Sequence, residues 1–174
     1  MARYFRRRGR RAYRRRSVVP KRFSVETTTV AGGMFGSGTF WTGLIAPSAV
    51  QGVRKASKFT LDFMVRSDVD VNFAWAVVYM PNFPLVQNRN YVPALNAPLN
   101  GGTSLYEPNQ HVIMQGIFST RYANQFRRFS PLSRNLQSED TIILLVRLLE
   151  WFGTEPTEEN QVTYGCTFQY AITF

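Results

Sequence analysis

The stretch KFTLDFMVRSDVDVNFAWAVVYM, residues 58–80, decides the fold class. Phe59, Leu61, Phe63 and Val65 alternate with Lys58, Thr60, Asp62 and Arg66, Met64 being the exception. A period of two puts one face of an extended chain in a core and the other in water, so this half reads as a strand. Residues 71–80 are apolar nearly throughout, the pattern of a strand buried on both sides or at an interface. Asp68-Val69-Asp70 lies between the two runs and reads as a turn, joining them as a hairpin or as a crossing between sheets. Two carboxylates at that spacing also suit a cation, but the turn accounts for them more simply.

The same texture extends outward in both directions. RFSVETTTVA (22–31) is rich in Val and Thr and alternates, which predicts a strand with one buried face. AGGMFGSGTFWTG (31–43) lacks the Gly-Lys-Ser/Thr of a phosphate loop and reads as a flexible turn held by aromatics at each end. HVIMQGIFST (111–120) is a further strand, and QFRRFSPLS (125–133) a short one ending near Pro131. RNLQSED (134–140) reads as a turn. Residues 141–149 compete between helix and strand; Ile142, Ile143 and the β context favour strand. WFGTEPTEEN (151–160) is an acidic turn, and QVTYGCTFQYAITF (161–174) a closing strand. Between them, residues 81–110 hold five prolines, many asparagines and a Gly-Gly pair, a long loop of the kind used for binding or contact. Seven or eight strands and hardly any helix define an all-β fold, an antiparallel β-sandwich or jelly roll. The apolar residues on both sides of 71–80 and 141–149 admit two explanations, a thick sandwich core or burial by assembly.

The first twenty-two residues belong to none of this. They carry Arg3, Arg6, Arg7, Arg8, Arg10, Arg11, Arg14, Arg15, Arg16, Lys21 and Arg22, with no carboxylate. The whole chain has 21 basic and 11 acidic side chains, a formal charge of +10. Residues 23–174 therefore hold ten basic groups against eleven acidic ones, a balance of −1. A block of like charge this dense repels itself and has little to bury, so residues 1–22 are expected to be disordered when free. Its natural partner is a polyanion: arginine forks onto phosphate and releases condensed counterions. Tyr4, Phe5 and Tyr13, set among the arginines, suit stacking on unpaired bases. A nuclear localisation signal, a solubilising tail and an acidic membrane surface are the other readings.

Chemistry is sparse elsewhere. His111 is the only histidine and Cys166 the only cysteine, which leaves no paired-histidine or CxxC metal site and no internal disulfide. No nucleophile elbow is present, so neither an enzyme nor a cofactor is expected. No apolar segment follows the basic start as in a secretory signal. The longest apolar run, 141–152, is short for a membrane span and carries Arg147. Arg54, Lys55 and Lys58 form a small basic cluster open to two readings, nucleic-acid contact or a lysine-protected strand edge. Arg127, Arg128 and Arg134 form another, read as subunit contacts or ordinary surface.

RYFRRRGRRAYRRR (3–16), FAWAVVYMP (73–81), SLYEPNQHVIMQG (104–116) and FSPLSRNLQSEDTIILL (129–145), in that order, resemble the capsid proteins of small circular Rep-encoding single-stranded DNA viruses, the circovirus-like group. The likeness spans nearly the whole chain, with one departure: Glu139-Asp140 stands where relatives often have Gly-Asp. It implies a single eight-stranded jelly roll over residues 23–174, repeated about sixty times around an icosahedral shell. Residues 1–22 would then lie inside on a single-stranded DNA genome, with Arg54, Lys55 and Lys58 as inner-wall contacts. Nuclear import receptors are a further implied partner, and membrane insertion is not implied. Against this stands a monomeric OB-like or ribosomal-type β-barrel with a basic tail, which the residues alone leave open.

Overall fold

The computed structural model describes residues 23–36, 38–48, 52–81 and 111–173. The arm residues 1–22 and most of the long loop lie outside these, as do the expectations that fall on them. Eight strands follow in order: β1 Ser24–Met34, β2 Thr39–Ile45, β3 Arg54–Arg66, β4 Asp70–Met80, β5 Val112–Ser119, β6 Gln125–Leu136, β7 Thr141–Phe152 and β8 Val162–Thr173. They form two four-stranded sheets, β1-β8-β3-β6 and β2-β7-β4-β5, antiparallel at every pairing. Apart from β4 and β5, which pair in one sheet, successive strands pass from one sheet to the other, and β6, β7 and β8 return beside earlier strands, the connectivity of a jelly roll.

The alternation that opened the sequence is the structure's axis. Phe59, Leu61, Phe63 and Val65 of β3 point inward and are at most 3% exposed, while the residues between them face out. From the opposite sheet, Val71, Phe73, Trp75 and Val77 of β4 and Ile142, Leu144, Val146 and Leu148 of β7 meet them. The Asp68–Asp70 turn is a crossing between sheets, not a hairpin, because β3 and β4 lie in different sheets. Aromatic rings join the layers: Phe63 stacks on Phe126 and Tyr164, with centroids 5.2 Å away in both cases, and tilts against Phe73 at 5.6 Å. Gly32 on β1 exists for one of these rings. A Cβ there would sit 2.6 Å from Tyr164 Oη and 2.8 Å from its Cζ, and the stacked Tyr164 has little freedom to retreat.

Five expectations need correction. β6 is twelve residues long and continues through Leu136, so 134–136 are strand and not turn. Pro131 does not end it, because β6 is an edge strand and Pro131 sits at the irregularity where Ser130 pairs with Phe59 and Ser133 with Ser57. At such a place the missing N–H breaks no ladder bond. β7 likewise runs to Phe152, leaving the acidic turn to begin at Gly153. β1 does not show one clean buried face: its first residues are exposed, and Val30 and Met34 are what reach the core. Val/Thr alternation suits an edge as well as a half-buried strand. Fourth, double-sided burial of β4 and β7 does not come from a thicker core. Ala74, Ala76, Val78, Met80, Ile143 and Leu145 form a separate buried cluster on the other side of their sheet. Fifth, the glycine-rich turn is much shorter than its reading over 31–43, because residues 31–34 belong to β1 and 39–43 to β2; Phe35 packs on Phe40 at 4.9 Å.

Burial sets the chemistry of the titratable core. Desolvation pushes the Tyr164 hydroxyl up to about 12 from an ordinary 10.0 and the Cys166 thiol up to about 12. Tyr170 is raised by the same cause, assisted by the charge of Glu26. A raised tyrosine pKa means the folded state holds a proton that the unfolded state gives up at about 10. The tyrosine contribution is therefore complete below pH 10 and is lost as pH climbs to about 12. Urea melts are expected to show a midpoint that falls between pH 10 and 12; a midpoint unchanged across that window contradicts this burial. A thiol held at about 12 is also expected to resist a maleimide at pH 7.5 until the chain unfolds.

Candidate nucleic-acid interface

The two ends of the sandwich differ in charge. At one end the four connections after β1, β3, β5 and β7 come together: Gly36 N–H donates to Pro156 O at 3.1 Å, and Gly153 packs beside Val69. This end carries Asp68, Asp70, Glu150, Glu155, Glu158 and Glu159 against Arg66 and Arg121. The opposite end is where β1 begins, so residues 1–22 join the domain at Phe23, as far from the acidic loops as the strand length permits. Phe23, where residues 1–22 join the domain, is thus on the side where repulsion of a polyanion by these carboxylates is weakest.

β3 starts at the arm's end of the sheet. The register places Ala56 beside Ile172 of β8, and Ile172 beside Ser24 of β1. The structure separates the first basic cluster. Lys55 and Lys58 are exposed, and Lys58 Nζ lies 5.0 Å from the centre of the Phe23 ring, beside the point where the arm begins. Arg54 is half-buried and its guanidinium donates to Ala46 O at 3.5 Å, which makes it a tie between two strands and a weaker candidate for contact with a ligand. Lys58 has a φ of 56°, the left-handed region, at the β-bulge where the register with β6 and β8 shifts.

The second basic cluster divides too. Arg127 pairs across the ladder with Asp62, and Arg128 with Leu61, so the two side chains leave opposite faces of β6. Arg134 is half-buried and its charge acts on Tyr79. The Tyr79 hydroxyl donates to Asp140 Oδ2 at 2.6 Å, and the same oxygen accepts from Gln137 N–H at 2.7 Å. Asp140, 1% exposed, thus ties the β6–β7 turn to β4. His111 stacks on the Tyr79 ring at 5.9 Å, a structural placement.

Sequence reading overlooked Phe129, a large apolar side chain 62% exposed, two residues beyond Arg127 on the same face of β6. The Arg-x-Phe spacing was the available signal; only the β3–β6 register shows which face these residues occupy.

No protein-family model matches the chain, and no curated protein does. The strand order defines its class as an eight-stranded jelly-roll domain. Solved structures similar to it include a full particle of Israeli acute paralysis virus heated to 63 degrees, with a TM-score of 0.41 and 10% identity over 88% of this chain and 73% of that one. Another is the native virion of Kashmir bee virus at acidic pH, with a TM-score of 0.39 and 10% identity over 88% and 72% of the two chains.

Proposed function

We propose that the chain is the coat protein of a small virus: a shell-building jelly roll that packages a single-stranded genome with residues 1–22. The observation that carries this reading is the division of charge along the chain. Eleven cations sit in residues 1–22, ahead of a β domain of balance −1 whose acidic loops lie at the end away from Phe23. A jelly roll can tile a closed shell, and an arm of this kind binds nucleic acid irrespective of sequence. Sixty arms carry roughly 660 positive charges, enough to neutralise a large share of a small genome at one phosphate per nucleotide. Circular single-stranded DNA as the cargo rests on the resemblance to circovirus-like capsid proteins, because backbone electrostatics hardly separates DNA from RNA. Extraction of nuclease-protected nucleic acid from purified particles tests it: circular DNA sensitive to a single-strand nuclease is expected, and protected RNA alone contradicts it.

The alternative of a monomeric OB-like module fits less well, since that fold is a five-stranded barrel and the described residues form two four-stranded sheets. We further assign nuclear import to the same arginines. Alanine at Arg14, Arg15 and Arg16 is expected to reduce nuclear accumulation, and undiminished accumulation removes that role.

A further inference from the structure

We propose that the outward face of the β1-β8-β3-β6 sheet is a second contact surface for single-stranded nucleic acid, on which Phe129 stacks a base beside Arg127, with Lys58 on the arm's side of the same face. The inference rests on the reading of the arm as a nucleic-acid binder and adds a site within the folded domain.

The register builds this face in rows that run across all four strands. One row is Thr29, Thr167, Asp62 and Arg127; the next is Thr27, Gln169, Thr60 and Phe129. A third is Ala31, Gly165, Met64 and Gln125. Most of these side chains are short, so the floor is flat and mostly polar. From it Phe129 rises with 62% of its surface exposed. The face carries Lys55, Lys58, Arg66 and Arg127 against one carboxylate among its described residues, Asp62, which accepts from Gln125 Nε2 at 2.9 Å. Glu26 lies on the other side of β1, toward Tyr170.

Three features favour nucleic acid over a second copy of the chain as the occupant. The core of a protein–protein interface is apolar and depleted of charge, whereas the centre of this floor is mostly threonine and glutamine rimmed by cations. Its exposed apolar side chains are Met64 and, toward the edges, Phe23, Val25 and Phe129. An exposed ring flanked by positive charge is the arrangement that holds unpaired bases while neutralising their phosphates. The face is also continuous with the arm's root, because Phe23 and Val25 lie on it and Lys58 Nζ reaches the Phe23 ring. Lys58 adds an independent sign. Its φ of 56° is a conformation that glycine or asparagine adopts more easily, so a lysine at this position carries a backbone cost. A cation aimed along this face gives that cost a use.

Fluorescence anisotropy of the full-length chain with a labelled dT20 strand and with a 20-base-pair duplex separates the possibilities. In about 0.5 M salt, where the arm's electrostatic contribution is weakened, Phe129→Ala is expected to lower affinity for dT20 by about 5- to 100-fold, the worth of one stacked base. Affinity for the duplex, whose bases are already stacked, is expected to stay the same, and Phe129→Trp to restore dT20 binding. Arg127→Ala is expected to lower the slope of log affinity against log salt by about 0.7. Because Phe129 is exposed, the melting temperature of Phe129→Ala should match the parent, which separates a binding defect from a folding defect. Unaltered dT20 affinity in Phe129→Ala overturns the proposal, as does an equal loss for strand and duplex. Loss of particle assembly with dT20 binding intact also overturns it, making the face a contact between copies. The function proposed for the whole chain fails separately, if the protein binds dT20 through Phe129 yet never assembles.

Discussion

Removing residues 1–22 is expected to abolish most of the affinity for single-stranded DNA near about 50 mM salt and to flatten its salt dependence, while the β domain stays folded. The deleted segment carries 11 of the 21 basic side chains, so the charge of the chain moves from +10 to −1. On single strands each neutralised phosphate contributes about 0.7 to the salt slope, so eleven cations contribute up to about 8. The slope that remains in the truncated protein belongs to the sheet face, where four cations are available at most. Folding is expected to be spared because, among the described residues, the core is assembled from β1 to β8. Titrations of both proteins across a salt series, with far-ultraviolet circular dichroism as the folding control, check this. Equal affinity and equal slope in the two proteins would show that the folded domain is the binder.

Phe63→Ala is expected to cost about 3–5 kcal/mol of folding stability, the range for emptying a large aromatic from a core. Phe63 has no exposed surface and contacts Phe73, Phe126 and Tyr164, which come from β4, β6 and β8. It therefore binds the two sheets to each other as well as adjacent strands within one. Neighbours held by stacking cannot collapse into the gap without losing their own contacts, which places the cost toward the upper end. For a domain of this size the melting temperature should fall by about 6–20 °C. Leu132→Ala, on an exposed part of β6, should shift it little. Calorimetry of the three proteins decides it; a Phe63→Ala midpoint within a degree or two of the parent contradicts this picture of the core.

The β3–β4 stretch was the most legible part of the chain, because large apolar residues alternate along β3, Met64 apart, and run nearly unbroken along β4, which together leave one physical solution. β7 was legible for a related reason, since Ile142 and Ile143 favour extended backbone where length alone left helix open. β6 was not, because Pro131 is a breaker only if its strand is central, and edge position depends on pairing across the whole chain. The exposure of β1 was hidden likewise: SVETTTV can line a core or a rim, and the choice is made by β8 and not by local preference. The site followed the same division. Charge segregation is a one-dimensional property and was readable at once. The face that joins Lys58, Arg127 and Phe129 comes from the β3–β6 register and a bulge at Ser57–Phe59, neither of which the local sequence displays.

The central claim is that this domain closes into a shell, and the mass of the assembled species tests it most directly. Purified full-length protein mixed with single-stranded DNA and analysed by light scattering with sedimentation should give one narrow population. Sixty copies of a 20.0-kDa chain make about 1.2 MDa of protein, before the mass of nucleic acid is added. A species that remains near 20 kDa per protein component, at low and moderate salt and with or without DNA, would contradict the account.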